Sequence, residues 1–227
     1  MVSSNILQRT FRIKYENKEG TCFTIDQDGR QYVITSGHLI NGISDSNPIS
    51  IFHEKKWKEV PIKLVGFANT PVDIAVLALS FQLSPSHPLA TTTGAGIYLS
   101  QDVYFLGFPF GLHIEVGPDL NRDFPLPLVK KGIVSGFIFD QDGFTTLLLD
   151  GHINPGFSGG PVVYIDHDTG ELNVAGVIAG YHYEWQNVYY KNQGTSLRFM
   201  ENTGIILGYS IRYAIRLIKT NPIGFLL

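Results

Sequence analysis

Short runs rich in β-branched and aromatic residues alternate with clusters of turn residues along almost the whole chain. Runs of this length, bounded by Gly, Pro, Asp and Asn, are typical of strands rather than helices. The strands predicted in this way cover residues 21–26, 31–36, 49–53, 60–65, 74–79, 103–106, 132–139, 145–149, 161–165 and 172–179. The pattern therefore predicts an all-β protein, built as a sandwich or as a pair of barrels.

Two segments interrupt the strand pattern. Residues 80–96 are rich in Ser, Pro, Thr and Gly without periodicity, which predicts a connector between two β halves. Further along, apolar residues at the spacing i, i+3, i+4 and i+7 predict one amphipathic helix over about 209–219, ended by Asn221-Pro222. The residues at this spacing are Ile211, Ala214, Ile215 and Ile218.

The turn segments carry their own predictions. Asp-Gln-Asp-Gly occurs at 26–29 and at 140–143, where Asp and Gly favour tight hairpin turns. Calcium ligation is the other interpretation of these segments and of 166–170, but the remaining ligands of an EF-hand loop are missing, so we predict no metal site.

Residues 111–131 contain three prolines and are too long for an ordinary hairpin, so we expect a functional or mobile loop there.

The composition excludes several classes of partner. With 227 residues and 44% hydrophobic content, the chain can form one large domain with a sizeable core. A formal charge of -3 without long Lys/Arg runs argues against nucleic acid and membrane partners. The single cysteine, Cys22, cannot form an internal disulfide, and we expect it to be a buried apolar residue. Because the first residues also lack the features of a secretory leader, we expect a cytoplasmic protein, and nothing calls for a cofactor.

Ser158 is the first candidate for chemistry, because it lies in Asn-Pro-Gly-Phe-Ser-Gly-Gly-Pro at 154–161. Glycine allows positive φ, so successive backbone N–H groups can converge on one point and hold an oxyanion. A tight glycine turn between strands is the other interpretation. The residues also match the G-x-S-x-G elbow of α/β-hydrolases, but an elbow serine leads into a helix and precedes its acid and histidine. Here the following residues favour a turn and then a strand.

A nucleophilic serine needs a base, and usually an acid that orients the base. Among seven histidines, His38 follows a predicted strand at a turn, where its ring can face a cleft. Asp73 directly precedes the apolar run 74–79, and a carboxylate at the edge of buried structure needs a partner such as an imidazole N–H. Capping of a turn after Pro71 is the alternative role for Asp73.

The order His38, Asp73, Ser158 resembles that of the trypsin-like (chymotrypsin-fold) serine proteases, and within them the HtrA/Deg branch. The likeness spans about residues 20–219 and is carried by segments 20–25, 32–40, 73–77, 106–111, 132–136 and 153–162. It implies two packed six-stranded antiparallel β-barrels and a C-terminal helix, with the active site between the barrels. The single peptidase domain would then comprise a first barrel (1–82), a connector (83–96), a second barrel (97–207) and the helix (208–220).

The resemblance also implies a function, that of a serine endopeptidase that cleaves polypeptides through an acyl-enzyme. His38 would be the general base, Asp73 its orienting acid and Ser158 the nucleophile. The backbone N–H groups of Gly156 and Ser158 would form the oxyanion hole.

A primary specificity pocket is implied at three further residues. Its walls would come from His152, Tyr181 and Gly208. In one interpretation His152 hydrogen-bonds a polar or acidic substrate side chain. In the other, His152 turns away and the pocket is a modest apolar slot.

The chain departs from the family at Phe157. Secreted digestive relatives carry an aspartate there that pairs with a new N-terminus, and the HtrA/Deg branch often has asparagine. Phe157 either packs into the barrel and holds the loop, or it disturbs the oxyanion hole. A catalytically latent protease fold that binds a protein partner is therefore the alternative function. The chain ends 8 residues after the predicted helix, so we expect no PDZ module in it.

Residues 181–190 combine aromatic and polar side chains. This mixture is typical of cleft-lining loops and protein-contact surfaces. Stacking on nucleic acid bases would require interleaved Lys and Arg, in which the segment is poor.

Overall fold

The computed structural model describes residues 2–45, 47–87, 89–91 and 96–227. A short helix, α1 (Ser4–Gln8), is followed by the strands of the first sheet: β1 (Thr10–Tyr15), β2 (Lys18–Gln27), β3 (Arg30–Thr35), β4 (Ile49–His53), β5 (Lys56–Val60), β6 (Lys63–Phe67) and β7 (Ala75–Ala78). The second sheet contains β8 (Ala90–Thr91), β9 (Asp102–Gly107), β10 (Leu128–Asp140), β11 (Gly143–Asp150), β12 (Pro161–Ile165), β13 (Leu172–Tyr190) and β14 (Gln193–Ser210). The remaining elements are α2 (Pro118–Asn121), α3 (Arg212–Thr220) and a last strand, β15 (Phe225–Leu226).

The two sheets form a half-barrel and a ring. The first has the order β5-β4-β1-β2-β3-β7-β6, with β15 paired to β3, and the second has the order β12-β9-β10-β11-β14-β13-β8. A pairing of β12 with β13 closes the second sheet. The predicted all-β fold of two packed barrels with a C-terminal helix is confirmed, with eight and seven strands in the sheets where the resemblance implied six.

The buried apolar side chains form three clusters. Strands β2 and β3 are buried on both faces and contribute side chains to two of these clusters. Cys22 and Val33 point into the first barrel, whereas their neighbours Phe23 and Ile34 pack between the barrels and against α3. A third cluster fills the second barrel around Phe105. Burial on both faces explains the nearly continuous apolar runs of these strands, since no alternate position needs to face water. Cys22 is buried as expected, and burial raises the pKa of its thiol.

Helix α3 begins three residues later than predicted. Residues 209 and 210 still belong to β14, where Tyr209 pairs with Thr146 and Val177, so the predicted start at 209 was wrong. The apolar spacing correctly identified the buried side: Ala214, Ile215 and Ile218 lie in the core between the barrels.

Some predicted strands are also corrected. The run 60–65 is not one strand, because β5 ends at Val60, Pro61 follows, and β6 begins at Lys63. Strand β1 was missed although its apolar residues alternate, as was most of β14. The hairpins predicted at 26–29 and 140–143 are confirmed, since β2 pairs with β3 and β10 with β11 across these turns.

Strands β13 and β14 extend far beyond the second barrel as one hairpin. We call residues 182–203 of this hairpin the arm. Among the described residues, the arm's two strands pair only with each other. Its large side chains are exposed: Tyr183, Trp185, Tyr189, Tyr190, Leu197, Phe199 and Met200.

Both predicted loops contain secondary structure among their described residues. Segment 111–131 includes α2 and is anchored by Phe124, which is buried in the first barrel with its ring 4.9 Å from that of Phe11. In the predicted connector 80–96, residues 88 and 92–95 lie outside the described residues, and Ala90–Thr91 forms β8.

Two sets of contacts join segments that lie far apart in the chain. The fully buried Arg9 guanidinium forms an ion pair with Asp26 at 2.6 Å and donates to the His87 carbonyl at 2.6 Å. Strand β15 returns to the first sheet, where Phe225 pairs with Gln31 and Arg30 donates to the Gly224 carbonyl at 2.7 Å. The helices found in the described residues all fall short of the length and apolar character needed to cross a membrane.

Candidate active site

His38 and Asp73 are adjacent because the strands that precede and follow them are neighbours. His38 lies in the 3₁₀ turn Gly37–Ile40 after β3, and Asp73 lies just before β7, which pairs with β3. His38 Nδ1 is 2.5 Å from Asp73 Oδ2, and the backbone N–H of His38 donates to Asp73 Oδ1 at 2.8 Å. Both carboxylate oxygens thus fix the histidine, and Nε2 on the far side of the ring remains available to a substrate or a nucleophile.

Ser158 lies in a loop that both barrels hold. The Thr21 N–H donates to the Ser158 carbonyl at 2.9 Å, and Thr21 Oγ1 donates to the Gly156 carbonyl at 2.7 Å. From the second barrel, the Gly159 N–H donates to the Ile178 carbonyl at 2.8 Å. These bonds attach the loop to β2 and β13, so Ser158 is placed where the barrels meet.

The glycines of the loop are required by both conformation and space. Gly156 has φ 108° and Gly159 has φ 83°, in the left-handed region that favours glycine. A Cβ at Gly156 would overlap the Phe108 carbonyl, and one at Gly159 would overlap the Thr21 carbonyl. The loop can therefore approach both neighbouring backbones only with glycine at these positions.

The Ile178 carbonyl connects the histidine turn with the serine loop. Ser36, two residues before His38, donates its hydroxyl to this oxygen at 2.8 Å, and Gly159 donates its N–H to the same oxygen. The structure therefore brings His38, Asp73 and Ser158 to one region. The Ser158 hydroxyl itself donates to the Ala179 carbonyl at 3.1 Å, so in this arrangement it is turned toward β13.

The peptide group before Gly156 has a defined orientation. The Pro155 carbonyl accepts a hydrogen bond from the Phe110 N–H at 2.9 Å. Because C=O and N–H point in opposite directions across a trans peptide, the Gly156 N–H points away from the turn Pro109–Gly111.

Phe157 packs into the second barrel, which is one of its two predicted outcomes. The side chain is fully buried, with its ring in an edge-to-face contact 5.6 Å from Phe105. The Lys130 ammonium lies 5.6 Å from the centre of the Phe157 ring. Phe157 therefore anchors the serine loop through apolar contact with the second barrel.

The three predicted pocket residues lie on neighbouring segments near the loop. His152 is exposed, and its carbonyl accepts a hydrogen bond from Lys130 Nζ. Tyr181 is half-buried and pairs with Ile206 in β14. Gly208 is buried opposite Ile178, with the second barrel's core on the side where a Cβ would lie.

Sequence reasoning missed several residues of this region. Thr21 holds the serine loop, Lys18 donates to the His38 carbonyl at 2.8 Å, and Lys130 lies beside His152. Tyr209 packs against the core between the barrels, where burial and then the negative charge of Asp73 raise the pKa of its phenol. A threonine or lysine in a strand has no distinctive sequence signal, because its role depends on contacts between segments, across 20 residues for Lys18 and His38 and 135 for Thr21 and Gly156.

Comparisons with known proteins identify the family of this chain. Residues 20–175 match the family model described as the trypsin-like peptidase domain. The chain is 30% identical over 151 residues to "Serine protease Do-like HtrA" of Bacillus subtilis, covering 62% of this chain and 29% of that protein. It is 29% identical over 157 residues to "Probable periplasmic serine endoprotease DegP-like" of Halomonas elongata, covering 68% of this chain and 28% of that protein. The chain thus spans less than a third of the length of these relatives.

Solved structures share the fold over nearly the whole chain. An "HtrA-type protease AlgW with tripeptide" superimposes with a TM-score of 0.61 at 22% identity, covering 96% of this chain and 61% of that one. A serine endoprotease from Yersinia pestis gives a TM-score of 0.59 at 19% identity, covering 97% of this chain and 66% of that one.

Proposed function

This chain belongs to the trypsin-like peptidase family, in its HtrA/Deg branch, and on that premise we propose that it is a serine endopeptidase acting through an acyl-enzyme. In this proposal Ser158 attacks the carbonyl carbon of a peptide bond, and His38 takes the hydroxyl proton and then passes it to the leaving amine. Water then attacks the acyl carbon while His38 takes its proton, and as the bond to Ser158 Oγ breaks, His38 returns that proton to Oγ and the acid product is released.

The pair of contacts between His38 and Asp73 carries the proposal. Asp73 accepts from both the ring and the backbone N–H of His38, so the imidazole is fixed in one orientation. This fixes the tautomer that leaves Nε2 as the acceptor, which is the orienting role of the acid in such sites. A side-chain rotation of Ser158, from the Ala179 carbonyl toward His38, would complete the triad.

The backbone N–H groups of Gly156 and Ser158 are the proposed oxyanion hole. The orientation of the Pro155 carbonyl toward Phe110 supports this assignment, because it turns the Gly156 N–H to the opposite side. Each donor of this kind contributes about two to three powers of ten to the rate.

Labelling with a fluorophosphonate probe tests the proposal. The wild-type chain should be labelled covalently, and Ser158→Ala should be neither labelled nor active on unfolded protein substrates. Lack of labelling in correctly folded wild-type protein, or peptidase activity retained by Ser158→Ala, would contradict it.

One observation favours a second candidate, a latent module that binds a protein partner. The Ser158 hydroxyl is bonded to the Ala179 carbonyl, an arrangement in which it is not ready for attack. A latent protein would stay unlabelled alone and become labelled, if at all, when a bound polypeptide reorients the serine. The two candidates therefore differ in whether labelling depends on added polypeptide.

For the specificity pocket we propose a preference for acidic residues before the scissile bond. The Lys130 ammonium lies against the His152 carbonyl, so a cation borders the pocket in addition to the His152 side chain. Cleavage of a peptide library measures this directly. A clear aliphatic preference would instead support the modest apolar slot.

The expectation of a cytoplasmic protein stays a proposal. It rests on the single cysteine, whereas the relatives from Halomonas elongata and Arabidopsis thaliana are named as periplasmic and chloroplastic. Cell fractionation with an antibody against the chain would locate it.

A further inference from the structure

We propose that the arm is a dimerisation element, through which two copies of this chain pair the outer edges of their β13 strands antiparallel to each other. Each arm then lies along the partner's arm, tip to base, and the two hairpins form one continuous sheet. The pairing covers residues 184–190 and leaves the edge at 180–182, next to the serine loop, uncovered. The inference concerns assembly and goes beyond the proposed activity.

The outer edge of β13 lacks the features that normally protect the edge of a sheet. Within the arm, residues 183–190 are Tyr-Glu-Trp-Gln-Asn-Val-Tyr-Tyr, with one charged residue and neither Pro nor Gly. Among the described residues, no strand pairs with this edge of the arm. Exposed edges usually carry lysine, proline or a bulge, and a regular segment without them is a template for another chain.

The opposite edge of the arm, that of β14, is irregular and therefore a poorer template. Across from the step between Tyr181 and Tyr183 in β13, β14 advances further, from Ile206 to Asn202. A second shift of the same sense lies nearer the tip. Extra residues of this kind interrupt the ladder and increase the local twist. Strand β13 has no extra residue between 181 and 190, so its outer edge is the regular one.

Burial of aromatic side chains supplies the driving force for pairing. In β13, Tyr183, Trp185, Tyr189 and Tyr190 are 49%, 56%, 67% and 66% exposed. At about 150–250 Å² for each whole side chain, they expose on the order of 500 Å² together. An interface of standard size buries about 800 Å² on each partner, and about two thirds of it is apolar in homodimers. This strand alone therefore exposes the apolar area that one side of a dimer needs.

The charges of the arm favour a second copy as its partner. Glu184 and Glu201 lie opposite each other near the base of the arm, whereas Lys191 lies at its tip. With Arg198 included, the formal charges of residues 182–203 sum to zero, so two arms do not repel each other although the whole chain carries -3. Antiparallel pairing places each tip at the partner's base. Symmetry then brings Lys191 close to the partner's Glu184 at both ends of the contact.

Symmetry and aromatic pairing together select the register with Asn187 on the two-fold axis. Directly opposite side chains of an antiparallel pair share one face of the sheet, so the axis passes through a residue and not between two. With Asn187 on the axis, Trp185 lies opposite the partner's Tyr189. An axis one residue away would put Trp185 opposite the partner's Asn187 or Lys191 instead. The chosen register forms two Trp–Tyr pairs, and cross-strand aromatic pairs stabilise sheets.

The dimer is closed by its own geometry. Both copies use the same edge, so the contact is isologous and each β13 edge in the arm is consumed by the other. No such edge remains for a third chain, and assembly ends at two copies instead of continuing as a fibre.

Sedimentation velocity on the whole chain tests the proposal. At about 100 µM, above the micromolar Kd of the weakest interfaces of standard size, we expect a dimer that dissociates on dilution. Trp185→Lys should raise the dimer Kd at least about tenfold, because symmetry removes two aromatic pairs with one substitution. A wild type that stays monomeric at this concentration, or a dimer that Trp185→Lys leaves equally tight, would overturn the proposal.

The matched control for the lysine variant lies on another hairpin. Phe139 is exposed to 67% on the β10–β11 hairpin, and Phe139→Lys should leave the dimer Kd unchanged. Equal weakening by the two substitutions would also overturn the proposal, because it would show an effect of added charge and not of the arm. Thermal melts establish that each variant is folded.

Disulfide trapping tests the register without disrupting the contact. Cys22 is the single cysteine and is fully buried, so an engineered cysteine is the one accessible thiol. Across the axis, the two Cα atoms at residue 187 would lie about 4.5–5.5 Å apart, within the range of a disulfide. Asn187→Cys should therefore form a covalent dimer when oxidised with copper phenanthroline.

Tyr183→Cys is the control for trapping. In the proposed register its two copies lie about eight residues apart along the strands, or ~26 Å, so this variant should stay monomeric on the same treatment. Equal trapping of both variants would show random collision and overturn the proposal. These measurements need no nucleophile, so a dimer that fluorophosphonate does not label would support this inference and contradict the proposed activity alone.

Discussion

Thr21 connects the first barrel to the loop that carries Ser158. Its hydroxyl donates to the Gly156 carbonyl at 2.7 Å and accepts from the Phe108 N–H at 3.2 Å. Thr21→Val keeps the shape but removes both bonds, so the Gly156 carbonyl and the Phe108 N–H keep only the long bond that joins them at 3.4 Å, at a cost of about 1–3 kcal/mol. Because the Gly156 peptide then loses its support, we expect kcat to fall at least about tenfold with a smaller change in KM. Steady-state kinetics on a peptide substrate measures both.

Thr21→Ser is the control for this prediction at the residue scale. Serine retains the hydroxyl, so kcat should stay within a few-fold of wild type, and the rate of fluorophosphonate labelling should follow kcat in both variants. If the valine variant labels and turns over like the wild type, the oxyanion groups do not depend on Thr21.

Between elements, the ion pair of Arg212 with Asp140 connects α3 to the β10–β11 hairpin. Arg212 donates to Asp140 Oδ2 at 2.5 Å, and this bond, with smaller contributions from the Asp142 N–H and the Tyr213 hydroxyl, lowers the pKa of Asp140 to about 2. The folded-state pKa lies below the ordinary value of 3.8, so the stabilisation is complete above about pH 4 and is lost as the pH falls toward 2. We expect Asp140→Asn to unfold at lower urea concentration than wild type at pH 7, and the difference to disappear through that window.

Asp142→Asn provides the comparison at the element scale. Asp142 pairs with Arg216 at 2.8 Å, but both side chains are half or more exposed, and such pairs contribute little. Its urea midpoint should stay near that of wild type at every pH. A gap between wild type and Asp140→Asn that persists at pH 2 would contradict the role of the charged carboxylate.

Across the whole molecule, Arg9 joins segments that are far apart in the chain. It contacts Asn5 in α1, Asp26 in β2, and Ser84 and His87 before the second barrel, with no part of its side chain exposed. Arg9→Met removes one partner of a buried pair, which costs about 3–5 kcal/mol because Asp26 keeps its charge in a poorly solvated place. Urea unfolding, followed by Trp57 fluorescence in the first barrel, should show this loss.

The exposed Arg198 serves as the comparison at this scale. Arg198→Met in the arm should leave the free energy of unfolding nearly unchanged, since its bond to Asn187 is at the surface. An equal effect of the two arginine variants would show that the buried position of Arg9 is unimportant.

The elements that could be predicted are those marked by a local pattern of apolar or turn residues in the sequence. Strands such as β3 and β7 have apolar runs buried on both faces, the Asp-Gly turns fix two hairpins, and α3 has its apolar stripe. The contact of His38 with Asp73 follows from the same pattern, because the end of one strand meets the start of its neighbour. The catalytic roles of these residues and the pocket residues stay predictions.

The unpredicted parts depend on contacts between distant segments or on the absence of contacts. Thr21 acquires its role only when β2 packs against the serine loop. Arg9 acquires its role only when its guanidinium meets the connector at His87. The arm's second strand has mixed polarity because neither of its faces is packed against the barrel, so no burial pattern marks it. The start of α3 was misplaced because the apolar spacing that begins at Ile211 does not mark the end of the preceding strand, which the pairing of Tyr209 with Thr146 fixes.

The pairing of β15 with β3 has a consequence for biosynthesis. The residues that complete the edge of β3 are made 194 positions after Arg30, so a ribosome-bound chain carries His38 and Asp73 long before their sheet can receive its final strand. Contacts of such separation form late, because closing a long loop must precede any gain from pairing. The first barrel is therefore completed by residues 225–226 rather than by its own half, so the sheet that holds His38 and Asp73 receives its last strand only after the serine loop and α3 have been synthesised.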